Sequence, residues 1–401
     1  MSEVSALLSQ LHPAGVEWVR LGDVGRFVRG KGMLKSDLKT QGFPAIHYGQ
    51  VHATYWHATG KTVSYVDQDV ARTLRKAQYG DVVLATTSED DEGVARPVAW
   101  LGEGEIAVSS DAMIYTHEID PGYASYFFES DSFQRQKNPY LTGTKVRRIR
   151  DVNLAKILIP LPALEIQREI AAILDQFIEI DQALADEIAG RERQYELARQ
   201  ALLDLDCDVT VKLGDIAAVR RGASPRPIQK FLTTDSEGVP WIKIGDVPVG
   251  GKYITQTAQR VTPAGAAKSR MVYPGDFVLS NSMSFGRPYI TQIEGAIHDG
   301  WLSISEFEDW CNSDFLFYML GSNMVQDQFL TIVGSGTVSN LNSTVVKSVE
   351  IPLPPLEIQE EIATKLDAFT EYIDLLKRER ELRLKQYAHY RDLLFDFPTQ
   401  D

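Results

Sequence analysis

The chain has 401 residues, of which 44% are hydrophobic and 24% charged, proportions that suit a soluble protein of two or three domains with proper cores. Its formal net charge of −14 argues against a generally basic nucleic-acid-binding domain, and two cysteines, Cys207 and Cys311, are too few for a disulfide framework or a cysteine-rich zinc site. No basic segment followed by an apolar run opens the sequence, and no stretch approaches ~18 uninterrupted apolar residues, so neither a signal peptide nor a membrane span is expected and a cytoplasmic location is.

Residues 1–162 read as an α+β domain, mostly strand with many turns. Positive charge gathers early, where Arg20, Arg26, Arg29, Lys31, Lys35 and Lys39 face only Asp23 and Asp37. Gly25-Arg26-Phe27-Val28-Arg29-Gly30-Lys31 fits most of a phosphate-binding loop, but Gly32 stands where Ser or Thr must hold Mg²⁺, and no helix signal follows. Pro44-Ala45-Ile46-His47-Tyr48-Gly49 and Asp81-Val82-Val83-Leu84-Ala85 read as strands, the second after a Tyr79-Gly80 turn. His47, His52 and His57 are spaced by five, which aligns them on neither a helix nor a strand, so no metal site is expected. Asn138-Pro139-Tyr140 is only part of an amino-methyltransferase motif, with no glycine-rich cofactor loop nearby. Lys145, Arg147, Arg148 and Arg150 form another basic cluster.

Residues 163–206 predict a long helix that begins just after Pro162, where a missing N–H costs little. Its apolar seam alternates steps of four and three through Ile170, Leu174, Phe177, Leu184, Ile188, Tyr195 and Leu202, the pattern of a coiled coil. Asp181 and Arg191 are polar members of this seam, and Gly190 is its weak point, costing ~1 kcal/mol against alanine. Residues 207–354 predict a second α+β domain, with Pro240-Trp241-Ile242-Lys243-Ile244-Gly245 and Asp276-Phe277-Val278-Leu279 as strands. Residues 355–401 predict a second long helix, with Ile362, Leu366, Phe369, Ile373, Leu376, Tyr387 and Leu394 on the seam beside Arg380 and Arg383. Within these segments, residues 163–205 and 355–397 hold −6 and −3 of the net charge.

The chain thus contains itself twice. Leu21-Gly22-Asp23-Val24 returns as Leu213-Gly214-Asp215-Ile216, Gln194-Tyr195 as Gln386-Tyr387, and the two helices start with near-identical tracts, all 192 residues apart. An amphipathic helix must bury its stripe, and the nearest matching stripe is its own duplicate. A twofold relation between the copies makes the pair antiparallel. The expected architecture is therefore α+β, with two similar domains separated by two long helices in an intramolecular antiparallel coiled coil.

Ile159-Pro160-Leu161-Pro162-Ala163-Leu164-Glu165-Ile166-Gln167 and Ile351-Pro352-Leu353-Pro354-Pro355-Leu356-Glu357-Ile358-Gln359, each closing a variable domain, resemble the specificity subunits of type I restriction-modification systems. Val16-Glu17-Trp18-Val19-Arg20-Leu21-Gly22-Asp23 is also typical of such subunits. The resemblance implies a non-catalytic subunit whose two target-recognition domains each read half of a bipartite double-stranded DNA site. The coiled coil is the ruler between the halves. Two modification subunits carrying S-adenosylmethionine are the implied partners, along with ATP-driven restriction and translocation subunits; no cofactor belongs to this chain and no membrane is involved. The acidic total fits if the modification subunits supply much of the phosphate contact. Candidate base contacts are the loop side chains Lys31, Lys35, Tyr48, Gln50, Ser88, Lys145 and Arg147 in the first domain, and Arg221, Arg226, Lys243, Asn281, Ser284 and Arg287 in the second. The alternatives are a scaffold or regulatory paralogue that keeps the ruler without target reading, and an autonomous methyltransferase, which the incomplete motifs disfavour.

Overall fold

The computed structural model describes residues 6, 8, 10–12, 14–205, 207, 209–247, 250–281, 285–334 and 341–397. Two compact units make up the chain, one from residues 1–185 with 378–401 and the other from 186–377. The division falls inside both long helices, Leu164–Leu203 and Leu356–Leu394.

Each unit is built on two sheets of matching order. In the first, a five-stranded sheet runs Gly25–Arg29, Ala112–His117, Val82–Ala85, Arg96–Trp100, Ala58–Thr59, beside a four-stranded sheet of Ser64–Val66, Phe43–Ile46, Ile106–Val108 and Arg75–Ala77. In the second, Ala218–Arg221, Trp301–Ser305, Phe277–Ser280, Pro288–Thr291 and Tyr253–Ile254 form the equivalent sheet. Its companion runs Leu232–Thr233, Arg260–Val261, Val239–Ile242, Gly295–Ile297, Arg270–Val272. Val82–Ala85 and Phe277–Ser280 are buried at every position, which is why their sequences run apolar through Ala85 and Leu279 rather than alternating. Each follows a turn whose glycine, Gly80 or Gly275, takes a positive φ of 89° or 98°.

Short antiparallel ladders tie the beginning of each copy to its end: Trp18–Arg20 with Leu158–Pro160, and Thr210–Lys212 with Glu350–Pro352. The recurrent Leu-Gly-Asp sits at this closure. A Cβ on Gly22 would lie 2.9 Å from the Ala155 side chain, and one on Gly214 would lie 2.7 Å from that of Lys347. Close backbone approach therefore accounts for the repeated glycine.

Within each unit a stretch of one long helix packs against a stretch of the other. In the first unit the Phe177 ring lies 6.3 Å from Tyr387 and 5.6 Å from Tyr390, while Asp181 bonds Arg380, so numbers rise on one helix as they fall on the other. In the second, Glu192 pairs with Lys377 at 2.7 Å, and Leu202 and Leu203 share a core with Ile362, Ala363 and Leu366, again antiparallel. Ile170, Leu174, Ile188, Ile362, Leu366, Ile373, Leu376, Tyr387 and Leu394 are buried; Phe177, Leu184, Tyr195, Leu202 and Phe369 are half-buried. Arg383 does not join the seam: it is exposed and reaches Glu379 on its own helix at 3.3 Å. Gly190 lies inside an unbroken helix, since packing of the apolar face outweighs its propensity deficit.

Gly25–Arg29 is a strand paired with Ala112–His117, so the residues that imitate a phosphate-binding loop are edge-strand backbone, and only the one-turn segment Lys35–Asp37 follows. Among the described residues no helix is long and apolar enough to cross a membrane, and no group of three or more His, Cys, Asp or Glu side chains could hold a metal.

Candidate nucleic-acid interface

The frame that presents the loops is the same in both units. Gln167, at the end of the repeated tract, is buried; its Oε1 accepts the Asp120 N–H at 2.9 Å and its Nε2 donates to the Pro162 carbonyl at 2.8 Å. Gln359 accepts from the Asn312 N–H at 2.8 Å and donates to the Pro354 carbonyl at 2.8 Å. Asp120 and Asn312 each cap a domain helix, accepting from Tyr123 and Phe315 N–H. About two turns further along each long helix, Asp175 accepts from the Tyr126 hydroxyl at 2.7 Å and Asp367 from the Tyr318 hydroxyl at 2.5 Å. These contacts hold each domain on its long helix. All four residue pairs are 192 apart, a regularity the sequence displays but the candidate residues above did not use.

The polar loops leave this frame at Gly30 and Gly222, where an added Cβ would meet the carbonyl oxygen of Ser109 or His298 at 2.0 Å in each case. Beyond Gly30, Lys31 and Lys35 are exposed. Lys35 and Asp111 both act electrostatically on His47, which burial holds below the usual imidazole value. Tyr48, beside His47, donates its N–H to Ser109 Oγ at 2.9 Å and keeps its ring partly exposed. In the second unit Arg221, Arg226 and Asn281 gather on Asp299. Arg221 Nε and Asn281 Nδ2 donate to its carbonyl at 3.3 and 2.9 Å, and Arg226 reaches its carboxylate at 3.4 Å. The Ser224 hydroxyl bond, with the charges of His298 and Arg226, holds the Asp299 carboxyl below its usual range.

Two of the expected contacts turn inward. Gln50 spends both ends of its amide within the fold, accepting from the His47 N–H at 3.0 Å and donating to Ser64 at 2.6 Å. Asn281 is buried. Lys243 heads a turn like that of His47, its N–H bonding Asp246 at 2.8 Å, and stays half-exposed. Arg287 is half-buried, its guanidinium 5.6 Å from the Tyr289 ring. Ser284 lies outside the described residues.

Ser88 and Arg147 face each other in a small ladder, Thr87–Ser88 with Arg147–Arg148, and exposed Lys145 lies in the turn before it. Arg147 also bonds Asp91 and the Gly143 carbonyl. The loop holding Glu89, Asp90, Asp91 and Glu92 is pinned from beneath by Lys137. That side chain is fully buried and donates to the carbonyls of Asp91 at 2.6 Å and Val94 at 2.9 Å, and to Gln134. Burial pushes its ammonium down to about 8. This loop walls a cavity of about 1030 Å³ whose lining includes Tyr48, His52, Trp56, Ser88, Arg96 and Arg135. Phe329, also fully buried, stands 192 residues from Lys137, so the second unit has no such clamp at that place.

A duplicated α+β frame with divergent polar loops, closed by paired long helices, defines a class of two-headed modules. The family model for the type I restriction modification DNA specificity domain matches twice, over residues 13–189 and 208–386. The chain belongs to that family and is a specificity subunit of the type I kind. It is 26% identical to the EcoR124I/EcoR124II specificity subunit of Escherichia coli, over 100% of this chain and 99% of the relative. A putative specificity subunit of Haemophilus influenzae is 28% identical over 65% of this chain and 69% of its own. Among solved structures, a chain from a type I restriction-modification assembly superposes with a TM-score of 0.67 at 20% identity, covering 95% of this chain and 97% of that one. The HsdS subunit from Thermoanaerobacter tengcongensis does so with 0.53 at 20%, covering 96% and 97%.

Proposed function

We propose that each unit reads one half of an asymmetric, bipartite DNA target and that the paired helices set the spacer between the halves. Residues 1–162 and 207–354 act as the target-recognition domains, and 163–206 and 355–401 as the ruler. What carries this reading is the repetition of one frame beneath different loops: the same Gln, Asp and Tyr contacts recur 192 residues apart, while the polar side chains they present do not. A kept frame implies the same docking twice; changed loops imply two different sequences read. The exposed or half-exposed cations Lys31, Lys35, Lys145, Arg147, Arg221, Arg226, Lys243 and Arg287 are the proposed DNA contacts, with Tyr48 and Ser88 beside them. Gln50 and Asn281 shape the loops rather than touch bases. Two modification subunits supplying S-adenosylmethionine, and restriction subunits using ATP, complete the complex, in the cytoplasm.

The test is a map of N6-methyladenine in DNA from cells that express the chain with its modification subunit. The expected result is one split motif with a fixed spacer, and exchange of residues 207–354 changes only one half of it. A stable complex that leaves no methylated motif overturns target reading and puts the scaffold reading in its place.

A further inference from the structure

The two long helices repeat each other, but their seams differ at one crossing. In the first unit the Asp181 side chain is 5% exposed, and Arg380 meets both of its oxygens, Nε to Oδ1 at 2.7 Å and Nη2 to Oδ2 at 3.0 Å. The residue 192 places after Asp181 is Ile373, and the residue 192 places before Arg380 is Ile188. Both isoleucines are buried, in the second unit. Neither helix holds both members of the ion pair. The first carries Asp181 and Ile188, the second Ile373 and Arg380.

A buried ion pair adds little net stability over an apolar pair, yet removing one partner is strongly unfavourable, so its use in a seam is to choose partners. The apolar periodicity of the two helices is the same, and by itself it permits exchange between two molecules, first helix with first and second with second. The charges separate these arrangements. A first·first pair sets each Asp181 against an Ile188, leaving a buried carboxylate without a cation. A second·second pair sets each Arg380 against an Ile373. That is the milder fault, because the Arg380 side chain is 36% exposed and can turn its guanidinium to water.

We propose that the Asp181–Arg380 pair, set against Ile188 and Ile373 at the equivalent crossing, commits each first long helix to a second one and excludes like-with-like pairing, first with first and second with second, between two copies. The decisive variant moves the arginine to the equivalent place on the other helix, I188R with R380I, in the full chain. Its first helix then carries Asp181 and an arginine that satisfy each other only across two molecules, while pairing within the chain strands both. Light scattering on the wild type is expected to give the mass of one chain, and on this variant twice that mass. A single-chain mass with an unchanged melting midpoint overturns the proposal.

If the variant does not fold, co-refolding decides. Two differently tagged populations of D181I/R380I, whose crossings are both apolar, are refolded together near the effective concentration of a tethered helix, on the order of 1 mM. Tag exchange several-fold above that of wild type supports the assignment. Equal exchange in the two proteins overturns it.

Discussion

Both units join a tyrosine on a domain helix to an aspartate on a long helix, but the nitrogen-bearing side chain that completes the contact differs. In the first, His57 Nε2 lies 3.0 Å from Asp175, with the imidazole stacked 4.2 Å from the Tyr126 ring. In the second, Lys252 Nζ lies 2.7 Å from Asp367 and 2.7 Å from Asp314, over the Tyr318 ring at 5.0 Å. Tyrosine and aspartate keep the 192-residue spacing; the third side chain, His57 or Lys252, does not, because it comes from segments whose lengths have diverged. The lesson is that the frame tolerates a change of chemistry wherever charge and hydrogen bonding at the aspartate are preserved.

The largest effect is expected where the copies differ most, at Lys137 and Phe329. Phe329→Ala opens a cavity in a fully buried position and destabilises the second unit by about 3–5 kcal/mol. Lys137→Met leaves the Asp91 and Val94 carbonyls without their donor and destabilises the first unit by about 1–3 kcal/mol. Denaturant unfolding followed by hydrogen exchange checks both. If Lys137→Met leaves exchange in 88–94 unchanged, the lysine is not what holds that loop. Next come the matched tyrosines. Tyr126→Phe and Tyr318→Phe each remove a hydroxyl bonded to a carboxylate and are expected to cost about 1.5–3 kcal/mol. A clear inequality between the two breaks the equivalence of the contacts.

The two contacts also predict opposite pH weaknesses. Burial pushes the Asp175 carboxyl up, but the bonds from His57 and Tyr126 outweigh it and hold the group below its usual value. Burial pushes Lys252 down, but the bonds to Asp314 and Asp367 outweigh it and hold the ammonium above its usual value. A carboxyl depressed in the fold contributes stability that is present above its unfolded value, ~4, and lost as pH falls toward the folded one. A raised lysine contributes stability that is complete below its unfolded value, ~10.4, and lost as pH rises through the folded one. Exchange protection of Pro121–Glu129 is therefore expected to weaken on the acid side, through Asp175, and that of Ser313–Leu320 on the alkaline side, through Lys252. H57K should give the first unit the alkaline weakness of the second; an unaltered profile would show that the side chain beside the aspartate is a bystander.

Periodicity made the long helices and their seams legible, and turn signals located the central strands, because in those segments one physical rule dominates. Asp181 and Arg380 stood out as polar seam positions, but sequence could not say that they meet each other while Arg383 faces water. Gln50 and Asn281 looked like base contacts because a polar loop residue reads as exposed until its internal partners, Ser64 and Asp299, are in place. Gln167 showed in the sequence only as the end of a repeated tract, and Asp175 and Tyr126 carry no motif of their own, although each of the three has an identical residue 192 positions later. In a duplicated chain, a polar identity held at the repeat distance is a direct sign of a frame contact.

The smallest stability effects should fall on the exposed cations, and here the comparison concerns recognition. Lys31→Ala and Arg221→Ala remove exposed side chains, so each should change stability by no more than about 0.5 kcal/mol. Their consequences for DNA depend on what each touches. A phosphate contact lowers affinity for all sequences alike and reduces the salt dependence of binding by about one ion, whereas a base contact relaxes the motif at one position and costs about 1–3 kcal/mol there. Arg221 is oriented by its bond to the Asp299 carbonyl, which suits a group that must present a fixed edge. Lys31 follows Gly30 in an extended loop and is better suited to a phosphate. Arg221→Ala is thus expected to degrade one position of the half-site proposed for the second unit, and Lys31→Ala to weaken the whole complex evenly. Salt titrations of binding by the assembled complex, paired with methylation maps of both variants, distinguish the two. A uniform loss from Arg221→Ala would make both clusters phosphate clamps and leave base reading to Lys243, Arg287 and the loops around them.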